Sequence, residues 1–347
     1  MQQTGYTLPA AWHGKPYYSL DAWCKNTFSE KLYKIALDIG CSCPNRDGTI
    51  GYGGCIFCSE GGSGDFAAGQ ATAGTNTAAD IAADASADIA ARSAGISAQL
   101  AQGKTLFGEK KTGSRYIAYF QSYTNTYGVP DRLAFFYRQA LKVPEVAGIS
   151  IATRPDCLSD AILSRINALR QEFPDKFIWI ELGLQSIHEK TAQLIRRGYP
   201  FSVFEQAMEK LHNAGIPVIV HVILGLPGES RDEMLQTVQA MNRFSPFGIK
   251  LQLLHVLQNT VLADMYQNHE FEVLSKEDYL ELATDAIAHL SPDICIHRIT
   301  GDGPKNLLIA PNWSRNKRDV LNSIHSRMKQ KNIRQGSYYE PGTTDTL

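Results

Sequence analysis

The chain has 347 residues, 44% hydrophobic and 20% charged, an ordinary globular composition long enough for one large domain or two of usual size. Its formal net charge of -1 gives no global pull toward a polyanion, so a nucleic-acid partner has to meet a local patch. No run reaches the roughly 18 apolar residues of a membrane span, and the N-terminus lacks the basic start and apolar stretch of a secretory signal, so a cytoplasmic protein with no membrane partner is expected.

Residues 1–30 carry Trp12, Tyr17, Tyr18, Trp23 and Phe28 without a clear period and read as an extension packed on the main body. Lys34 to Ile39 is a short apolar strand ending at Gly40. A cysteine-rich loop follows at once, at the C-terminal end of that strand. A Gly-rich stretch (Gly61 to Gly69) then leads to an Ala-rich segment from Thr77 to Gln102. There Ile81, Ala85, Ile89, Ile96 and Leu100 fall at helical spacing, so the segment reads as a surface helix or insertion over about 70–103.

From here strands and helices alternate. The strands are Tyr116–Gln121, Val146–Ala152, Phe177–Gln185, Val218–Leu224 and Ile249–Leu254. The helices between them fall at Pro130–Leu141, Leu158–Glu172, Ile187–Arg196 with Phe201–Ala214, and Asp232–Phe244. With the first strand this makes six βα units and a parallel α/β sheet, a partial TIM-like (β/α)6 barrel or an open doubly wound sheet. Residues 31–265 form this core. Residues 266–347 read as a small α+β extension, with a helix near Lys276–Leu290, a short strand at Asp293–Arg298 and a helix near Lys317–Lys331. Between Lys305 and Arg334 eight basic residues face one acid, Asp319, so the tail is locally basic.

The loop Cys43–Cys58, CPNRDGTIGYGGCIFC, spaces three thiols C-x11-C-x2-C, and its four glycines and one proline forbid a regular helix or central strand. Seven cysteines, with three crowded here, are unlike a disulfide framework. Three soft ligands in a loop suggest a metal, and thiolates suit both zinc and iron–sulfur clusters. A structural zinc site wants four ligands, which Cys41 would complete, since Cys41 and Cys43 share one side of the chain by alternation. Three thiols on a cubane instead leave one iron open. Both readings stand on the spacing alone.

The loop resembles that of radical S-adenosylmethionine (SAM) proteins, in particular the YtqA/YhcC family. The likeness continues through IATRPDCL (151–158), IELGLQS (180–186), ILGLPGE (223–229) and HRITGDGPKNLLIAPNW (297–313), and three of these motifs also resemble the elongator catalytic subunit. The resemblance implies a partial (β/α)6 barrel of the radical SAM type. It implies a 4Fe–4S cluster on Cys43, Cys55 and Cys58 and SAM as cofactor. It further implies a tRNA substrate, with the wobble uridine side chain converted from carboxymethylaminomethyl to aminomethyl type. A one-electron donor such as flavodoxin or ferredoxin and a downstream methyltransferase are the other expected partners.

In that light Glu181 and Gln185, on the polar face of the Phe177–Gln185 strand, are candidates for the ribose or amino group of SAM. Gly225 is a candidate for close backbone approach to adenine. Gln121 and Ser122 stand where relatives carry a Gly-Gly-Glu stretch. Arg154 pairs either with a carboxylate of SAM or substrate or with Asp156. Arg196, Arg197, His297, Arg298, Lys305, Arg315, Lys317 and Arg318 are candidate RNA contacts. His221 and His255 read as core packing. The alternatives are a radical SAM enzyme acting on a tetrapyrrole or a protein, and, from another class, a non-catalytic zinc-stabilised RNA-binding protein.

Overall fold

The computed structural model describes residues 6–62, 87–108, 113–301 and 303–341, with side chains in the second stretch from residue 95 onward. The Gly-rich stretch beyond residue 62 and the Ala-rich segment before residue 87 lie outside the described residues. The chain divides into two compact units. One comprises Lys31–Gly183 and Ile195–Val218, the other Met1–Glu30, Leu184–Leu194 and Ile219–Leu347.

All six expected strands form: β1 (Tyr33–Leu37), β2 (Tyr116–Phe120), β3 (Val146–Thr153), β4 (Phe177–Gln185), β5 (Val218–Leu224) and β6 (Gly248–Leu253). They run as near-continuous apolar segments, as strands covered on both faces must; in β5, VIVHVIL, only His221 interrupts. The segment expected as a strand of an appended unit, β8 (Cys295–Arg298), is instead a seventh strand of the same sheet, parallel to β6 with Gly248 opposite Cys295. The reason lies in the connection. A helix, α9 (Lys276–His289), bridges β6 to β8 as the other crossovers do, and the long, irregular approach to it hides the βαβ pattern. The order is β1-β2-β3-β4-β5-β6-β8, so β1 and β8 are edges. A two-residue strand β7 (Val256–Leu257) pairs antiparallel with β9 (Leu308–Ala310) in a second sheet.

In the first unit the helix α2 (Ala87–Thr105) buries Ile96 and Leu100. Gln99 clamps the end of β1: it accepts from the Asp38 N–H at 2.8 Å and donates to the Asp38 carbonyl at 2.9 Å. Gly103 is obligatory there, since a Cβ would come within 2.2 Å of Ile35. The exit of β1 is thereby fixed where the cysteine loop begins.

In the second unit the N-terminal residues lie along β8. Ile296 N–H donates to the Tyr18 carbonyl at 2.7 Å, and Trp23 of α1 (Leu20–Phe28) meets Phe247 edge-on at 5.6 Å. Buried Gln335 locks this arrangement, accepting from the Tyr18 N–H at 2.9 Å and donating to the carbonyls of Ser291 and Ile294 at 2.6 and 2.8 Å. No helix among the described residues is long and apolar enough to cross a membrane.

Candidate active site

The cysteine loop is built on its own backbone. Cys43 carbonyl accepts from the Arg46 N–H at 2.8 Å, Pro44 carbonyl from Ile50, Asn45 carbonyl from Gly54, and Cys55 carbonyl from Cys58 at 2.9 Å. Gly54 has φ +83 and lies against the Arg46 guanidinium, where a Cβ would come within 2.8 Å of Nε, so only glycine fits. Two polar side chains hold the loop from within. Arg46 donates to the carbonyls of Cys58 and Ser59 at 3.0 and 2.5 Å, and buried Asn45 directs its amide at the Cys55 sulfur at 3.6 Å.

A second segment, Ile195–Tyr199, braces this loop. Ile195 carbonyl accepts from the Ile56 N–H, Arg196 carbonyl from the Asn45 amide at 2.5 Å, and Arg197 carbonyl from Arg154 Nη1 at 2.9 Å. Arg154 forks onto Asp156 at 2.9 and 2.7 Å and lies over the Tyr199 ring at 5.0 Å. Gly198, at φ +83, is what lets the segment pass so close: a Cβ there would stand 3.3 Å from Asn45 Oδ1 and 3.4 Å from Arg154.

The thiols feel one another's charge. Burial pushes the Cys55 thiol up to about 12, and Cys58 and Cys43 add to that push while Arg154 and the Asn45 amide oppose it. Burial works against the Arg46 charge, but the Cys58 thiol, then Tyr123 and the Cys43 thiol, together outweigh it and hold the guanidinium above its ordinary range. Cys41 has another neighbour: the hydroxyl of buried Tyr137 is raised by burial and then by Cys41. Among the described residues no three of His, Cys, Asp or Glu are close enough to share a single metal ion. Three thiols that each take a different iron of a cluster do not need to be, and two flanking guanidinium groups suit a cluster carrying thiolate charge.

The chain matches the model of the radical SAM superfamily over residues 48–241 and that of the radical SAM C-terminal domain over residues 246–330. YtqA of Bacillus subtilis is 39% identical over 326 residues, 94% of each chain. The chain belongs to the radical SAM superfamily. The tRNA uridine(34) acetyltransferase of Methanocaldococcus infernus is 26% identical over 179 residues, 49% of this chain and 32% of that protein. Among solved structures, an archaeal Elp3 from Methanocaldococcus infernus with an N-terminal deletion has a TM-score of 0.60 at 15% identity, over 88% of this chain and 64% of that one. That likeness shows the fold, the partial TIM-like barrel of radical SAM enzymes. A radical SAM enzyme uses a 4Fe–4S cluster and SAM.

The residues at the strand ends fit a polar ligand in each unit. In the first, Ser122 follows β2, is buried, and its Oγ has no hydrogen-bond partner. Glu181 is buried at mid-strand, ion-paired with Lys34 and accepting from Ser150 at 2.5 Å. In the second unit Gln185 ends β4 at φ +70, a strained value for a residue with a side chain, and its Oε1 is buried without a partner. Gly225 ends β5 at φ +94. Glu229, four residues on, accepts from Ser186, and burial raises its pKa above the usual carboxylate range.

The basic candidates divide by exposure. Arg197 is corrected as a surface contact: at 1% exposure it lies inside the fold, donating to the Tyr199 carbonyl at 3.0 Å and stacking on that ring. Arg196, Lys305, Arg315 and Arg318 are exposed. Arg315 also donates to the carbonyls of Lys305 and Leu308. His297 meets Phe247 edge-on, and Arg298 and Lys317 are half-buried. The net charge of the tail is reduced by pairing between helices. Arg327 of α10 (Lys317–Gln330) pairs with Glu277 of α9 and Lys331 with Glu281 at 3.5 Å, whereas the tail's one acid, Asp319, is itself taken up by Lys276 at 2.5 Å.

Proposed function

We propose that Cys43, Cys55 and Cys58 hold the 4Fe–4S cluster, with one iron left for SAM, and that the substrate is the side chain of a tRNA wobble uridine. The observation that carries the cluster reading is the shared cage: one loop presents all three thiols, and one segment, Ile195–Tyr199, braces it through the carbonyls of Ile195 and Arg196, while its Arg197 carbonyl holds Arg154. Held by Cys43, Cys55 and Cys58, the cluster would supply the low-potential electron for reductive cleavage of SAM, and through it the means to abstract hydrogen from the substrate.

The protein's own side chains orient and enclose. In one unit the unpartnered oxygen of Ser122 is suited to a hydroxyl or ammonium donor, and in the other so is that of Gln185, whereas the Gly225 N–H is taken by the Met234 sulfur at 3.0 Å and its open side faces Leu274. Arg46 and Arg154 supply positive charge beside the thiolates. The tRNA reading is supported by the relative whose name carries tRNA uridine(34). The reaction we favour converts carboxymethylaminomethyl-uridine to aminomethyl-uridine: with SAM as the net two-electron oxidant the N–CH2 carbon of the carboxymethyl group would be oxidised to an imine, which water splits into glyoxylate and the amine that a methyltransferase would take next. A flavodoxin or ferredoxin would deliver the electron.

Two measurements test this. Anaerobically reconstituted protein should hold about four irons and four sulfides and, once reduced, release 5'-deoxyadenosine from SAM; one zinc and no sulfide would refute the cluster. Digested tRNA from cells lacking the protein should accumulate the carboxymethylaminomethyl nucleoside, and an unchanged nucleoside profile would remove tRNA as the substrate.

A further inference from the structure

The outer edge of the cysteine loop is apolar and exposed. Ile50 and Tyr52 stand at 48% and 81% exposure, although the loop needs neither to enclose its thiols. Tyr52 is nevertheless held in place. It bridges antiparallel to Asp47, and its ring lies across Gly48, where a Cβ would come within 2.5 Å of the Tyr52 hydroxyl and 2.7 Å of the ring carbon bearing it. Glycine at 48 therefore makes room for an aromatic face that is presented to solvent.

Its surroundings complete a small platform. A Cβ built at Gly198 would stand 3.2 Å from an Ile50 methyl, so the 195–199 segment adjoins this edge. Arg196 in that segment is exposed, with its backbone fixed at φ +54 and its carbonyl taken by Asn45. Thr49 pairs with the Tyr127 hydroxyl at 2.8 Å. The one carboxylate between Cys43 and Cys58, Asp47, accepts from the Thr49 N–H at 3.1 Å.

We propose that Tyr52, with Ile50 and Arg196, receives an unstacked nucleobase of a single-stranded RNA loop and so sets the depth at which that loop sits over the cluster. The inference rests on the RNA reading above and adds the contact that the cysteine loop itself makes. A ring, an aliphatic edge and one guanidinium match a base and its phosphate, because single-stranded RNA is held by aromatic stacking and by cations that track its backbone. A protein partner needs about 800 Å² on each side, far more than three residues supply.

The experiment is anisotropy of a fluorescent anticodon stem-loop RNA with cluster-loaded protein over a range of salt, with iron content measured for every variant. Tyr52→Leu keeps an apolar side chain at this edge but removes the ring that lies over Gly48. It should weaken binding by roughly ten-fold, as loss of one base stack does, and leave the salt slope unchanged. Tyr52→Trp should bind as the parent does. Arg196→Ala should lower the salt slope by about 0.7, the value for one single-strand phosphate. Parent-like binding by Tyr52→Leu with full iron overturns the inference, and so does unchanged binding combined with slower reduction by a protein electron donor. Failure of the parent protein to bind the RNA at any salt defeats the RNA reading and takes the platform with it.

Discussion

Asn45 does two jobs with one amide, reaching the Cys55 sulfur at 3.6 Å and the Arg196 carbonyl at 2.5 Å from a buried position. If Cys55 holds the proposed cluster, an N–H aimed at its sulfur withdraws charge from it and raises the cluster's potential. Asn45→Leu keeps approximate size and removes both bonds. It should remove the link to the part-buried Arg196 carbonyl at a cost of about 1 kcal/mol, lowering the melting temperature of the apoprotein, and the reconstituted cluster should titrate at a more negative potential. An unchanged potential would mean that the amide serves only to join the two segments. The cysteines separate more sharply: Cys43→Ala, Cys55→Ala and Cys58→Ala should each lose the iron chromophore, whereas Cys41→Ala, beside Tyr137, should keep it. Bleaching by Cys41→Ala would defeat the open-iron reading. The loop that carries the three thiols was legible in the sequence, because cysteine spacing and its glycines and proline mark it directly. Their brace was not, because backbone carbonyls at 195–197 carry no residue signature, and Arg196 and Arg197 drew attention to their charge instead.

At the scale of elements, mostly apolar runs alternating with amphipathic segments made six strands readable, since strands covered on both faces are rich in apolar residues even where β4 and β6 carry a few polar ones. Two things escaped. β7 and β9 are too short to show a period, and β8, readable as a strand, could not be read as part of the main sheet because the approach to it does not look like a crossover. The turn from β5 into α7 (Arg231–Phe244) shows how an element end can be set by a buried acid. Ser230 and Glu233 close a capping box there, while Glu229 sits half-buried on Ser186 with its pKa raised by burial. A carboxyl whose folded pKa is raised makes its stabilising contribution below its unfolded pKa and loses it as pH rises through the folded one. Glu229→Gln should therefore unfold at a higher temperature than the parent above neutral pH, with the difference vanishing below about pH 4, where both side chains are neutral. Melting curves of the apoprotein at several pH values check the sign, and a gain that persists at acid pH would point to packing instead.

Over the whole molecule the sequence charge count overstates what the folded surface offers. Eight basic residues between Lys305 and Arg334 suggested a phosphate-reading tail. Folding sets α10 against α9, where Glu277 and Glu281 take up Arg327 and Lys331, and Arg334 donates to the Thr7 carbonyl. Acids that lie far from the tail in the sequence become its neighbours only through the tertiary fold. Exposed pairs of this kind stabilise little, about 0–1 kcal/mol each, so neutralising the acids should leave folding nearly intact while freeing two cations. Glu277→Gln with Glu281→Gln should therefore change the melting temperature by no more than a few degrees. If this face lies along the RNA path, the same double variant should steepen the dependence of log K on log salt for tRNA by up to about 1.8, two released charges at 0.9 each on duplex regions. An unchanged slope with tight parent binding would place RNA on another face, and the cysteine loop with Arg196 would then have to carry recognition without help from the basic tail.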